Sequence, residues 1–261
     1  MTELALQQGG LELKQFVRSR EAVVFTLLFP VMLLVIFGAI FSGTIAPDVK
    51  FTQYFAAGMI ASGLMSVGFQ NVAIQIPIER DRGVLKRLRG TPMPKWVYFA
   101  GKILMVGAVG LFATVLLITV ATAFYDVPLP DTTRKWLTLI WVSVLGITAF
   151  TLCGIAFSSV PKTGRNAAAV VTPVALVLQF ISGVFFVFTE LPTWMQHVAA
   201  VFPLKWLCQG MRSVFLPDTF AAQEPTGSWE LSRVALVLGA WCVVGLVLCV
   251  LTFRWTTKRD G

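Results

Sequence analysis

Residues 96–124 read WVYFAGKILMVGAVGLFATVLLITVATAF, a run of 29 residues with a single charge, Lys102. A helix rises about 1.5 Å per residue, and roughly 20 apolar residues cross the hydrocarbon core of a bilayer. The run is long enough to span and too apolar to dissolve. Five more runs of the same kind lie on either side, at 22–41 and 54–78 before it and at 136–157, 167–188 and 234–253 after it. Charges, Pro or Gly bracket each one. Pro30, Pro77 and Pro173 fall inside or near the ends of these runs, where membrane helices tolerate proline better than soluble ones do.

Composition agrees with a lipid solvent. Hydrophobic residues make up 56% of the chain and charged residues 13%, against roughly 25% charged in a soluble domain. The 21 Lys and Arg exceed the 13 Asp and Glu. That excess gathers at the ends of the apolar runs, which marks membrane topology rather than nucleic-acid binding. Cys153, Cys208, Cys242 and Cys249 form no CxxC pair, and three lie inside apolar runs, so they are expected as reduced, hydrophobic packing residues. Residues 1–20 are polar and of mixed charge, and the first apolar run is long and lacks a small-residue cleavage site. It is therefore expected to be a span and not a secretory leader.

Orientation follows from the basic residues. With the N-terminus taken as cytoplasmic, the inner segments hold 14 Lys and Arg and the outer segments 6, which is a positive-inside bias. Lys102, just inside the third span, is expected to snorkel to the cytoplasmic interface. The stretch 191–207 is apolar but broken by Pro192, Pro203 and Lys205. Its pieces are too short to cross, and it reads as a re-entrant or interfacial element at the outer leaflet. Before the first span, Leu4, Leu6, Leu11, Leu13, Phe16 and Val17 alternate with polar residues. This predicts an amphipathic helix in the interface plane, weakened by Gly9 and Gly10. The expected fold is an all-α membrane protein comprising one transmembrane domain over 1–261. An interfacial amphipathic helix occupies 1–21, a six-helix core 22–253 and a cytoplasmic tail 254–261, with the re-entrant element between helices five and six.

The connector Glu79-Arg80-Asp81-Arg82-Gly83-Val84-Leu85-Lys86-Arg87-Leu88-Arg89-Gly90-Thr91-Pro92 is more elaborate than a link between two helices requires. Val84, Leu85 and Leu88 share one face of a short helix, basic residues surround them, and Gly90 and Pro92 are stop signals. Two readings fit these residues: a helix that sits in a groove on a soluble partner, or a basic anchor on anionic lipid headgroups.

The run Glu-Arg-Asp-Arg-Gly, followed by Leu85, Leu88, Thr91 and Pro92 directly after a second span, resembles the signature of type-2 ABC exporter permeases. Ser182-Gly183-Val184-Phe185-Phe186, then Leu191-Pro192, an amphipathic stretch and Pro203-Leu204, is similar to that family's extracellular re-entrant region. Val187 and Phe202 depart from it, standing where many relatives have proline and asparagine. The resemblance extends to helix count, loop sizes and the N-terminal helix. It implies that a separate cytoplasmic ABC ATPase binds ATP and Mg and receives a coupling helix made of Glu79, Arg80, Arg82, Gly83, Val84, Leu85 and Leu88. It also implies a second permease half, identical or related, packed through spans one and five. This chain is expected to bind no cofactor itself, and no GxxxxGK[ST] run is present to cradle phosphates.

Within that frame, Glu79 and Arg82 are expected to fix the coupling helix, by pairing with each other at i, i+3 or with the ATPase. Phe180, Phe185, Phe186 and Phe188 are candidates for an apolar wall of a substrate path, or for ordinary lipid-facing and packing aromatics. Pro192, Trp194 and Pro203 belong to the re-entrant element. His197 stands without metal partners and is expected to be a packing residue. An ion-coupled secondary transporter would need carboxylates at the membrane midplane, and none of the 13 acidic residues falls in the middle of a run. Gln70, Asn71 and Gln75 make too sparse a polar cluster for a channel lining. No grouped His, Asp, Glu or Cys suggests a membrane enzyme. The expected cargo is a hydrophobic or amphipathic compound such as a drug, antibiotic or lipid, exported across the plasma membrane, with lipid-linked polysaccharide as the alternative.

Overall fold

The computed structural model of the chain describes residues 2–41 and 43–253, except the side chains of Thr2, Arg89 and Lys95. The tail expected at 254–261 lies outside the described residues. Among the described residues, six helices are long and apolar enough to cross a membrane: α2 (Arg20–Ile40), α3 (Phe51–Asp81), α5 (Lys95–Tyr125), α6 (Thr133–Phe157), α7 (Gly164–Ile181) and α10 (Leu231–Thr252). Around them lie α1 (Thr2–Arg18), the short α4 (Val84–Arg89), and α8 (Thr193–Val201) followed by α9 (Pro203–Phe215). A small antiparallel hairpin, β1 (Thr44–Ala46) and β2 (Val49–Lys50), joins α2 to α3.

Helix α3 is the axle of the bundle. Its apolar window is 83% buried, against 22% for α2 and for α10. Helices α2, α5, α6 and α7 pack round it, α5 and α6 along most of its length and α7 along its last turns, while α10 packs on α6 and α9. Small residues make this possible. A Cβ on Gly154 of α6 would meet the Gly68 carbonyl of α3 at 2.7 Å, so the two backbones touch. Gly68 lies in a π-helical turn, Ser66–Asn71, whose extra residue re-aims the side chains that follow it. A second π turn, Val24–Leu28, precedes Pro30 of α2, where the proline has no N–H to offer the preceding turn.

The fifth apolar run is shorter as a helix than its hydropathy suggests. Instead of continuing to 188, α7 stops at Ile181, because Gly183 adopts a left-handed φ of 75°. The chain then folds back, and Val184 presses on α3 so closely that a Cβ on Gly58 would meet its carbonyl oxygen at 2.8 Å. Tyr54 holds the return, its hydroxyl accepting the Phe188 N–H at 3.0 Å.

Helix α9 is apolar in sequence only in part, yet all 13 of its residues are buried, against α3, α6 and α10. Its polar side chains find partners within the chain, except that the Arg212 Nη1 has no hydrogen-bond partner among the described residues. Arg212 donates to both Glu224 oxygens, at 2.6 and 3.2 Å, and lies over the Tyr54 ring. Gln53 donates to the Phe215 carbonyl at 2.8 Å. Lys205 donates to Gln209 and stacks on the Trp206 ring. His197 is exposed on α8, not packed as the sequence suggested. All four cysteines are free thiols.

Candidate functional site

The last turn of α3 and the connector to α4 form a structural hub, because three consecutive residues there each hold a different helix. Glu79 is 2% exposed and accepts from the Lys102 ammonium at 2.5 Å and from the Tyr98 hydroxyl at 2.9 Å, both on α5. Arg80 donates from Nη2 to the Ser158 carbonyl at the end of α6, 3.1 Å away. The Asp81 Oδ2 accepts the Gly164 N–H at 2.6 Å and so caps the first turn of α7. The α7 contact demands glycine, since a Cβ on Gly164 would lie 2.7 Å from the Ile78 Cα. Displacing this one turn pulls on three spans at once.

Lys102 carries the connection further. Its ammonium also donates to Glu12 of α1 at 2.7 Å, so one cation lies between two carboxylates and is itself 1% exposed. Periodicity explains the geometry. Ala5, Gly9, Glu12 and Phe16 are the buried stripe of α1, and Tyr98 and Lys102 stand one turn apart on α5. Backbones approach closely here too, since a Cβ on Gly101 would meet the Gln8 side chain at 2.5 Å. Gln8 donates to the second Glu12 oxygen at 3.1 Å. Burial pushes the Glu12 carboxyl above its ordinary range, with Glu79 adding to the rise and Lys102 opposing it.

These contacts correct three expectations. Lys102 does not snorkel; it is internal and ion-paired. Glu79 does not pair with Arg82, because Lys102 and Tyr98 occupy both its oxygens, and Arg82 is exposed. Gly9 does not weaken a surface helix but lets α1 lie close on α5, its absent Cβ falling 3.0 Å from the Leu104 Cβ, while Gly10 faces open space and Leu6, Leu11 and Val17 turn outward at 62–64% exposure.

Helix α4 begins at Gly83, whose φ of 70° turns the chain out of α3. The apolar triplet is not one exposed stripe. Leu85 is fully buried within the chain, Val84 and Leu88 are half-buried, and Lys86 and Arg87 are exposed. Leu85 therefore anchors α4 to the bundle, and the outward surface is mixed apolar and basic. The four phenylalanines also separate. Phe185 and Phe188 are core residues, whereas Phe180 and Phe186 are about half exposed, and the Phe180 and Phe185 rings meet at 4.8 Å. Pro192 and Trp194 are exposed on the α8 side, and Pro203 is buried at the start of α9.

Beside the hub a cavity of about 710 Å³ opens between α1, the start of α2 and the end of α3, with Glu12, Glu79 and Lys102 in its depth and Asn71 and Gln75 on its wall. The π turn in α3 ends on Asn71, one turn before Gln75.

Six apolar helices, one of them the buried α3, with a charged hub feeding a short basic helix, have a counterpart among known proteins. The pattern of the ABC-2 family transporter proteins matches residues 46–254, most of the chain. This protein belongs to the ABC-2 family of transporters. Among its relatives is the inner membrane transport permease YadH of Escherichia coli strain K12. It is 25% identical over 209 residues, which cover 78% of this chain and 80% of YadH. The probable multidrug ABC transporter permease YbhR of the same strain is 20% identical over 195 residues, covering 74% of this chain and 52% of YbhR. The ABC-2 protein is thus a multi-pass membrane subunit of an ABC transporter. The match begins after α1 and α2, so Glu12 lies outside the matched residues while Glu79, Arg80, Asp81 and Lys102 lie within them.

Sequence reasoning missed Glu12, Tyr98 and Lys102 as a unit, and Asp81 as a cap. A signal existed for Lys102, the only charge in its 29-residue run: a lone cation at membrane depth calls for a carboxylate partner. Nothing local pointed to Arg212 and Glu224.

Proposed function

We propose that this ABC-2 permease exports a hydrophobic or amphipathic compound, such as a drug, an antibiotic or a lipid, driven by a separate ABC ATPase. That ATPase binds ATP and Mg and seats on α4 from the cytoplasm. The protein sits in the plasma membrane with both termini and the basic end of the bundle inside. The carrying observation is the triple attachment of Glu79, Arg80 and Asp81 to α5, α6 and α7. A push on α4 reaches three spans through short polar contacts, which is what an external motor needs. The surface of α4 suits a partner, with Arg82, Lys86 and Arg87 exposed beside half-buried Val84 and Leu88. A second permease half, identical or related, packs on α2 and α7. On α2, Phe25, Phe29, Met32 and Ile36 form one exposed stripe at helical spacing.

The return of 183–188 and the two short helices α8 and α9 form the outer re-entrant element. Val184 meets Gly58, seven residues into α3, or roughly 10 Å below the outer end at about 1.5 Å per residue. Backbone at that depth is supported because α3 and Tyr54 cover it.

The test separates attachment from transmission. Asp81→Ala removes the α7 cap but leaves the α4 surface intact. The complex should still copurify with its ATPase and hydrolyse ATP, while export per ATP falls several-fold. Charge reversal at Lys86 and Arg87 should instead weaken copurification. If both variants export normally with the ATPase attached, the coupling reading is wrong.

A further inference from the structure

The cavity beside the hub has an uneven distribution of satisfied and unsatisfied charge. In its depth, Glu12 and Glu79 share the one Lys102 ammonium through direct contacts. At its mouth stand Lys14, Arg18, Arg20 and Arg82 with one carboxylate, Glu21, all exposed. Among the described residues none of these five makes an ion pair or a side-chain hydrogen bond. Four cations against one carboxylate surround an opening whose own polar wall, Asn71 and Gln75, is neutral. Leu11, Phe16, Ile78 and Met105 supply apolar surface to the same space. Its volume of about 710 Å³ falls in the ordinary range for small-molecule sites, roughly 300–1,000 Å³.

We propose that this cavity binds an amphipath with an anionic, phosphate-type headgroup. The cations of the mouth hold the charge, Asn71 and Gln75 hydrogen-bond the polar backbone, and the tail leaves along the outward leucines of α1. A cationic or neutral ligand fits less well. A cation would face four like charges at the mouth and find both deep carboxylates already bound to Lys102, and a neutral one would leave the mouth unmatched. Treating the bound molecule as cargo entering from the inner leaflet rests on the export reading; the binding does not.

Purified permease without ATPase or ATP is titrated with spin-labelled phosphatidylglycerol or phosphatidylcholine, and the motionally restricted fraction is read by electron paramagnetic resonance. Phosphatidylglycerol should be preferred. The triple variant Lys14→Gln, Arg18→Gln, Arg20→Gln should cut that preference roughly ten-fold, since each cation near an anionic headgroup contributes. Gln75→Trp fills the cavity and leaves every cation in place, and it should abolish the preference as well. Lys162→Gln with Arg165→Gln removes exposed cations at the same end of the bundle outside the cavity, and should leave the preference unchanged. Equal uptake of the two lipids, a preference that survives Gln75→Trp, or saturable binding of inorganic phosphate in place of lipid would overturn the proposal. Because no nucleotide is present, each of those results leaves the coupling reading standing, and that reading fails only if Asp81→Ala and the charge reversal at Lys86 and Arg87 both export normally with the ATPase attached.

Discussion

Replacing Lys102 with Met tests whether the hub is held by charge. The side chain keeps nearly its length, so packing is little changed, but two carboxylates at 6% and 2% exposure lose their shared cation. Removing one partner of a buried ion pair costs about 3–5 kcal/mol, because the remaining charge has neither water nor counter-ion. For a chain of this size each kcal/mol is worth roughly 2–4 °C in melting temperature. Lys102→Met should therefore lower the apparent melting temperature in detergent by roughly 10 °C, read as monodisperse protein surviving a heat series. The sign of the pH dependence is also set. Glu12 already titrates above its ordinary range because it is buried. The folded state therefore binds its proton more tightly than the unfolded state, and stability falls as pH rises through the raised value. Loss of Lys102 removes the group that opposes that rise, so the variant should be closest to wild type in acid and furthest from it at neutral pH. Adding Glu12→Gln and Glu79→Gln removes both buried charges and should recover most of the loss. A Lys102→Met protein as heat-resistant as wild type, or a triple variant no better than the single, would refute the ionic account of the hub.

Two further outcomes follow from the far end of the bundle. Burial pushes the Lys205 ammonium down from 10.5 to about 8, so the unfolded state holds the proton more tightly. Stability should then rise between pH 8 and 10.5, and Lys205→Met should flatten that slope in a thermal-shift series. Gly183→Ala places a side chain at a φ of 75°, with its Cβ 2.9 Å from the Phe188 Cβ. The left-handed conformation alone costs about 1–2 kcal/mol, so protease resistance of the 183–193 stretch should fall while α3 and α6 stay protected.

Much of this molecule could be read from hydropathy, because lipid imposes a one-dimensional rule. A spanning helix satisfies its own backbone and shows itself as a long uncharged run. The short helix at 84–89 followed from helical spacing and the stop signals at Gly90 and Pro92, and the six runs and their starts within a few residues followed from that rule. So did the break in the chain at Pro192 and Pro203. Where local chemistry competes with hydropathy, the rule fails. The fifth run continues to Phe188 in apolar character but ends as a helix at Ile181, because one backbone angle at Gly183 outweighs five more oily residues. Leu85 is apolar and at helical spacing with Val84 and Leu88, yet burial separates it from them.

Pairing across the bundle depended on the tertiary fold alone. Glu12 meets Lys102 across 90 residues of sequence, Asp81 meets Gly164 across 83, and Arg212 meets Glu224 through a loop that no periodicity describes. Each charge by itself looks like an interfacial anchor, and only the approach of helices at Gly101 and Gly164 turns it inward. The physical reason is desolvation. A buried charge survives only where another part of the chain supplies its partner, and which part arrives there is decided by packing in three dimensions.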